Sequence, residues 1–533
     1  MKALGFRQAN SWLHTWSGLL LGWLLYAIFV TGTLSFFRDE ISFWMTPELH
    51  ASVPDSSTPE RIVDAMQSLA PGASIWSITL PGERNAAVPV QWFEQGVRPA
   101  KGGGHRLVLD AGTAQPIAAR ETRGGDFLYR FHFELYGMPR IWARWIVGAA
   151  TMLMLVAIVS GVITHKKIFA DFFTFRRRKG QRSWMDAHNA LGVLALPFHF
   201  MITYSGLLLL MTLLMPWGIQ SAYQGDMKAY FSERSGGISA AAPVTPAMTP
   251  AVPVSMASIG PMLEQSRQRW SNGVAAISIT QPGTSQAVIE LRERGADSLL
   301  NRGRGERMRF DGATGALLNS SAEPEPDTAT AVYNVFSSLH LLRFAGPWLR
   351  CLFFMSGLLG SAMIATGMVL WVVKRLPQRR KYGGHWGHRM VECLNVGTIA
   401  GLPLAIGAYF WANRLLPAQT PGRASWEINV FFVVWGLCLL HPLLRKHRQA
   451  WIEQLSVVAL LFAALPLFSF FYYPDSHLVA SLRAGHYLIA GMDTTLLALA
   501  AAAVAGVGFL MPSRQAEPRG MSRSKSAASE AAV

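Results

Sequence analysis

Ser183–Leu214, SWMDAHNALGVLALPFHFMITYSGLLLLMTLL, is the stretch whose reading decides the fold. It is apolar enough and long enough to cross a bilayer. It nevertheless carries two histidines, His188 and His199, eleven residues apart. At ~100° per residue a continuous helix brings both to one face, about 16 Å apart along the axis. An ionisable side chain inside a membrane helix is costly and normally faces the bundle interior. Two on one stripe predict two stacked sites.

The surrounding composition fits a membrane protein. The 533 residues are 51% hydrophobic and only 15% charged, where a soluble domain carries roughly 25% charged residues. The net charge of +16 comes from Lys and Arg lying between apolar runs. That pattern orients a membrane protein and calls for no nucleic-acid partner. The three cysteines, Cys351, Cys393 and Cys438, have no C-x-x-C spacing, and no C-x-x-C-H offers a covalent haem link. The N-terminal apolar run meets Arg38, Asp39 and Glu40 without a small-residue cleavage site, so it reads as a retained span.

Eight spans are predicted. The first four occupy 1–37, 141–165, 183–217 and 340–373, and spans five to eight lie within 392–511. Two polar modules, 38–140 and 218–339, separate spans one from two and three from four. Basic loops fill 166–182 and 374–391, and 512–533 is expected to be a disordered tail. All basic loops then fall on one side with both termini, which the positive-inside rule assigns to the cytoplasm. The modules would be periplasmic in a bacterial inner membrane. The Pro/Ala-rich stretch before the second module's helix is expected to be extended.

An internal repeat runs through the first half. His14, Gly18 and Gly32 of span one are spaced as His188, Gly192 and Gly206 of span three. Each run closes on a hydroxyl residue and a glycine, Thr31-Gly32 and Ser205-Gly206. WSITLPG (Trp76–Gly82) matches ISITQPG (Ile277–Gly283), and Asp110 matches Asp311, both at an offset of 201. Arg144 to Gly161 and Arg350 to Gly367 share a spacing of seventeen. The chain therefore carries two copies of span, module, span. Each module reads as one helix and three strands: 59–69 with 75–80, 88–93 and 105–109, then 256–270 with 275–280, 286–292 and 307–310. Neither holds a nucleophile–base grouping.

The histidines lie at three depths. His14, His165 and His188 stand near the basic-loop side and His199 mid-membrane. His132 and His340 lie near the other side, each just before a Gly/Pro break and so on a short juxtamembrane helix that folds over the bundle. Neutral imidazoles on different helices suit the two faces of a haem iron, and four of them would hold two stacked haems. His50, His105, His385, His388, His441, His447, His477 and His486 read as ordinary interfacial residues. The Trp and Met content reads as interface belt and packing filler.

WLHTWSGLLLGW…TGTLSFF, the run FHFELYG…RWIVG…SGVITHKKIFADFFTFRRRKGQRSWMDAHNALGVLALPFHFMITYSGL, and SLHLLRFAG…GLLGSAMIATGMVLWVVKR together resemble the PepSY-associated transmembrane family of iron-regulated membrane proteins. The resemblance covers roughly residues 8 to 375, with the outer regions similar to PepSY modules. The siderophore-iron reductases of that family are the members it looks most similar to. This resemblance implies two b-type haems and reduction of a ferric siderophore on the periplasmic side. It implies an inner haem drawn from His14, His165 and His188 and an outer one drawn from His132, His199 and His340, with the pairing open. The chain has no G-x-G-x-x-G unit, so a membrane quinol or a separate reductase would supply electrons. The chelate is expected in a cleft between the two modules, with Arg130, Arg140 and Arg343 as candidate anion contacts. The rival readings are a siderophore permease without redox chemistry and a PepSY-type regulatory or binding protein.

Overall fold

The computed structural model describes residues 5–97, 103–165, 167, 172, 174–176, 179–234, 252–295, 299–300, 302, 305–321 and 326–511. The tail, most of the Pro/Ala-rich stretch and part of the first basic loop lie outside the described residues. Membrane helices follow from the apolar runs, because only internal backbone pairing satisfies N–H and C=O groups in lipid. The first repeat contains α1 (Phe6–Leu20), α2 (Gly22–Ser35), α3 (Arg38–Trp44), α4 (Thr58–Leu69), β1 (Ile75–Thr79), β2 (Val88–Phe93), β3 (His105–Leu109), α5 (Gly124–Glu134) and α6 (Arg140–Thr164). The second contains α7 (Gln181–Leu194), α8 (Leu196–Leu209), the short α9 (Met211–Leu214), α10 (Trp217–Tyr223), α11 (Met227–Arg234) and α12 (Gly260–Arg269). It continues through β4 (Val274–Thr280), β5 (Val288–Glu293), β6 (Arg307–Asp311), β7 (Leu317–Ser321), α13 (Thr328–Leu341) and α14 (Pro347–Tyr382). The last part holds α15 (Trp386–Ile399), α16 (Gly401–Leu415), α17 (Arg423–Leu444), α18 (His447–Tyr472), α19 (Leu478–Arg483) and α20 (Tyr487–Leu510).

Six helical segments among the described residues are long and apolar enough to span a membrane, and two bent pairs raise the number to as many as eight. The bent pairs are spans one and three. The helix breaks by 66° between α1 and α2 and by 68° between α7 and α8. His188 and His199 fall on opposite sides of the second break, so they do not share the straight stripe that uninterrupted periodicity predicts. Pro197, two residues past Ala195, withholds a backbone donor and favours a break there. Span one breaks by nearly the same angle at Leu21-Gly22 without a proline, so the bend belongs to the repeat's packing.

The two modules differ from expectation in how they meet. Their strands form one sheet of order β3-β2-β1-β4-β5-β6-β7, with β1 paired antiparallel to β4. Ser77 faces Ser278, Ile75 faces Thr280 and Thr79 faces Ala276. At the offset of 201 this register is its own mirror under exchange of repeats, with Ser77 and Ser278 at the centre. Pairing these strands satisfies two edges that would otherwise stand open, and the cleft left between the modules is a cavity of about 310 Å³ between Thr58 and Leu80 of the first and Leu263, Val274 and Arg294 of the second. Both α4 and α12 cover the sheet, placing Ile62, Met66, Met262 and Leu263 against Trp76, Ile78, Ile277, Ile279 and Phe310. The second helix starts at Gly260, later than expected, and β7 was not foreseen.

Buried charge ties the layers together. Glu40 at the end of span one pairs with Arg350 at the start of α14, crossing from one repeat to the other. It also takes Arg84 of the first module at 2.5 Å. Trp44 Nε1 donates to Asp493 of α20 at 3.0 Å, and Tyr409 of α16 donates to the Gly124 carbonyl at 3.0 Å. The final helices thus dock against the first repeat. Large apolar side chains such as Leu352, Val433, Leu460 and Val504 remain exposed along the spans, and Trp142, Trp348, Trp386 and Trp426 stand exposed at span ends. This is the surface of a protein that contacts a bilayer.

Candidate functional site

Four of the six singled-out histidines meet in two pairs, one member from each repeat. His14 of α1 faces His188 of α7 with ring centroids 6.1 Å apart. His132 of α5 faces His340 of α13 at 6.2 Å. α5 and α13 are the helices before the two Gly/Pro breaks.

Each ring lies on a glycine of a neighbouring helix. A Cβ added at Gly161 would stand 3.0 Å from His14, at Gly367 3.0 Å from His188, at Gly32 2.6 Å from His132, and at Gly206 3.2 Å from His340. These are the repeated glycines of the sequence, and their missing side chains make the beds on which the imidazoles rest. The carbonyl one turn earlier then takes the Nδ1–H. His14 donates to Ala157 at 2.8 Å, His188 to Met363 at 2.9 Å and His132 to Ile28 at 2.7 Å. His340 has the equivalent carbonyl, Ile202, as partner and adds a second contact, its Nδ1 lying 2.9 Å from Ser205 Oγ, which itself donates to the Met201 carbonyl at 2.6 Å. A carbonyl only accepts, and the Ser205 hydroxyl proton is already committed. The proton of each neutral ring therefore sits on Nδ1, leaving the Nε2 lone pair available. An outer partner that fixes the tautomer in this way is the usual support of a metal-binding histidine.

Each pair opens on a cavity. The outer one, about 360 Å³, is lined by His132, His340, Phe198, Ile202, Thr203 and the arginines Arg144, Arg302 and Arg343. The inner one, about 190 Å³, is lined by His14, His188, Met363, Trp371, Lys374 and Arg375. Leu25 and Met154 line both and form the layer between them. On α14 the inner cavity is reached at Gly367 and the outer at Gly357, ten residues and so about 15 Å apart.

The other two histidines are elsewhere. His165 caps the end of α6 and lies 3.4 Å from Asn189 Nδ2; it does not line the inner cavity. His199 is fully buried, with neither ring nitrogen in a well-formed hydrogen bond. Its repeat counterpart is Leu25, and its ring occupies space beside Gly360, the counterpart of Met154. Leu25 and Met154 in one repeat are thus replaced by His199 and Gly360 in the other. Arg130 and Arg140 turn to Glu134, at 3.5 and 3.6 Å. Arg144 pairs with Glu134 as well but also lines the outer cavity. Its repeat relation to Arg350 was visible in the sequence; its place at the cavity was not.

Two imidazoles suit a macrocyclic iron. Bonds of about 2.0 Å on either side of one metal place the ring centroids roughly 6 Å apart, which is the spacing of both pairs. Among the described residues no three His, Cys, Asp or Glu converge on a point. The pairs therefore fit a group that brings its own equatorial donors better than a bare ion.

Comparison with curated proteins returns no match. The family model described as "PepSY-associated TM region" matches residues 11–374, from within α1 through both repeats to the last turns of α14. The match takes in all four paired histidines and stops before α15. On that extent the chain belongs to the PepSY-associated transmembrane family.

Proposed function

We propose that the protein holds two b-type haems, one between His14 and His188 and one between His132 and His340, and passes electrons across the membrane to a ferric siderophore. The observation that carries this reading is the repeated geometry of the pairs: centroids 6.1 and 6.2 Å apart, Nδ1 committed and Nε2 free. Each haem would supply a one-electron Fe(III)/Fe(II) couple. The glycine beds and the carbonyls of Ala157, Met363 and Ile28 hold the imidazoles in register. The apolar lining excludes water.

Arg144, Arg302 and Arg343 at the outer cavity supply positive charge for carboxylates, whether of a haem edge or of an acidic chelate. Reduction of the chelate favours release, because Fe(II) binds hard oxygen ligands less strongly than Fe(III). The docking place for the chelate is the mouth of the outer cavity, which the paired histidines line, beside Leu299, Leu300 and Arg302. Ser338 and Asn334 of α13 hold Leu299 and Leu300 through their carbonyls, at 2.9 and 2.6 Å. The basic loops support an inner-membrane orientation with both termini cytoplasmic.

The experiment is reduction of purified protein by dithionite, followed by addition of a ferric siderophore. Reoxidation of the haem bands with Fe(II) trapped by a chromogenic chelator supports the reading. A chain that copurifies with no haem, and takes none up, sinks it.

A further inference from the structure

The helices beyond the family match carry a polar cluster against the inner cavity that the repeat does not explain. His388 and Glu392 lie one turn apart on α15. Trp371 of α14, which lines the inner cavity, meets the His388 ring edge-on with centroids 5.7 Å apart. Glu392 is 2% exposed. Its Oε1 takes Arg379, and Arg389 approaches Oε2 at 3.6 Å without hydrogen-bonding it. Glu392 Oε2, His388 Nδ1, Trp371 Nε1 and His447 Nδ1 are all buried without a hydrogen-bond partner. Such groups are rare and ask for an occupant.

Glu392 and His447 also line a groove of about 460 Å³ on the basic-loop side, with the cations Arg379, Arg389, Arg445 and Lys446 and the apolar Leu443 and Leu444. Trp451 Nε1 donates to His447 Nε2 at 3.3 Å, so the neutral ring carries its proton on Nδ1. The wall of the groove thus holds one buried unfilled acceptor, Glu392 Oε2, and one buried unfilled donor, the His447 Nδ1–H. Leu443 and Leu444, 57% and 86% exposed at the end of α17, give its rim an apolar edge.

We propose that this groove is the electron-input site and binds the head group of a lipid-soluble hydroquinone. This rests on the two-haem reading. A hydroquinone hydroxyl needs an acceptor and a quinone carbonyl needs a donor; the groove offers both. A lipid phosphate would be drawn by the four cations and could accept the His447 proton, but it has no donor and would leave the Glu392 acceptor unfilled. The Leu443 and Leu444 edge suits an isoprenoid tail. In the reaction the hydroquinone loses two protons and two electrons and becomes the quinone. The protons leave through Glu392 to water on the basic-loop side. Haem held by His14 and His188 would be the one-electron acceptor, taking the two electrons in turn past Trp371.

The test uses full-length protein in detergent with a short-chain benzoquinone and its hydroquinone. Binding of the quinone is measured by calorimetry, and haem reduction by stopped-flow absorbance. Wild type is expected to bind the quinone saturably and to be reduced by the hydroquinone. Glu392→Gln and His447→Ala are each expected to weaken binding and slow reduction at least tenfold, with haem content and the dithionite-reduced spectrum unchanged. His447→Ala leaves the Arg379–Glu392 pair intact, so it decides the matter if Glu392→Gln does not fold. Wild-type protein that carries haem but binds no quinone overturns the proposal, as do two folded variants that behave as wild type. Saturable binding of phosphatidylglycerol with no binding of quinone overturns it too. If wild type carries no haem, the two-haem reading fails, and the binding arm alone decides this one.

Discussion

Gly32→Ala is a small change that the structure makes costly at one place. The added Cβ would stand 2.6 Å from both Cε1 and Nδ1 of His132. Ordinary carbon contacts lie at roughly 3.5–4.0 Å, so the ring must withdraw by about 1 Å. The Nδ1–H···O bond to Ile28, now 2.7 Å, would stretch past the length at which it counts as a bond. Loss of such a supporting partner typically weakens metal binding about 10- to 100-fold, or about 1.4–2.7 kcal/mol. The helix itself gains up to about 1 kcal/mol from alanine, so the fold should persist. Haem per chain and haem-transfer affinity, measured on purified protein, are expected to show loss at one site only. Gly161→Ala, Gly367→Ala and Gly206→Ala, where the added atom stands 3.0–3.2 Å from the ring, should be milder. Gly491→Ala, with no atom within 4 Å, should be silent. A Gly32→Ala protein with two haems of wild-type affinity would refute the reasoning.

Other expectations follow from the same geometry. His132→Ala and His340→Ala should remove the same spectral component, and His14→Ala and His188→Ala the other, while His165→Ala and His199→Ala keep both; difference spectra of the six variants check this. Replacing Glu40 with Gln leaves Arg350 buried without its charge partner, and should lower stability by about 3–5 kcal/mol, visible as a lower thermal midpoint and faster proteolysis between sheet and bundle. His50, outside the spans, is pushed down to about 4 by burial, with Arg414, His486 and Arg120 adding repulsion. The unfolded chain then takes up a proton below pH 6.5 that the fold refuses until about pH 4. Stability should fall by about 3 kcal/mol as pH drops through that window and then level off. Thermal unfolding across pH 7.5 to 4 should show the drop in wild type and less of it in His50→Gln.

The sequence revealed the spans because backbone pairing in lipid leaves few choices, and the repeat because His14, Gly32, Gly161 and their counterparts recur at fixed spacing. Those glycines were legible as markers but not as ring beds, since which helix faces which is set by packing across more than a hundred residues. The shared stripe of His188 and His199 failed at the bend. A periodicity argument on His188 and His199 assumes a straight helix, and span one shows that the break needs no proline to announce it. The joined sheet was hidden for a related reason. β1 and β4 each look like ordinary edge strands, and only the self-symmetric register around Ser77 and Ser278 reveals that they meet. α15 to α20 have no repeat counterpart, so the cluster around Glu392 carried no pattern to read.

The most direct measurement is the reduced-minus-oxidised absorption spectrum of the full-length protein, with haem quantified per chain. The account predicts two b-type haems, one lost in His132→Ala or His340→Ala and the other in His14→Ala or His188→Ala. A protein that shows no Soret band, even after reconstitution with haemin, contradicts it.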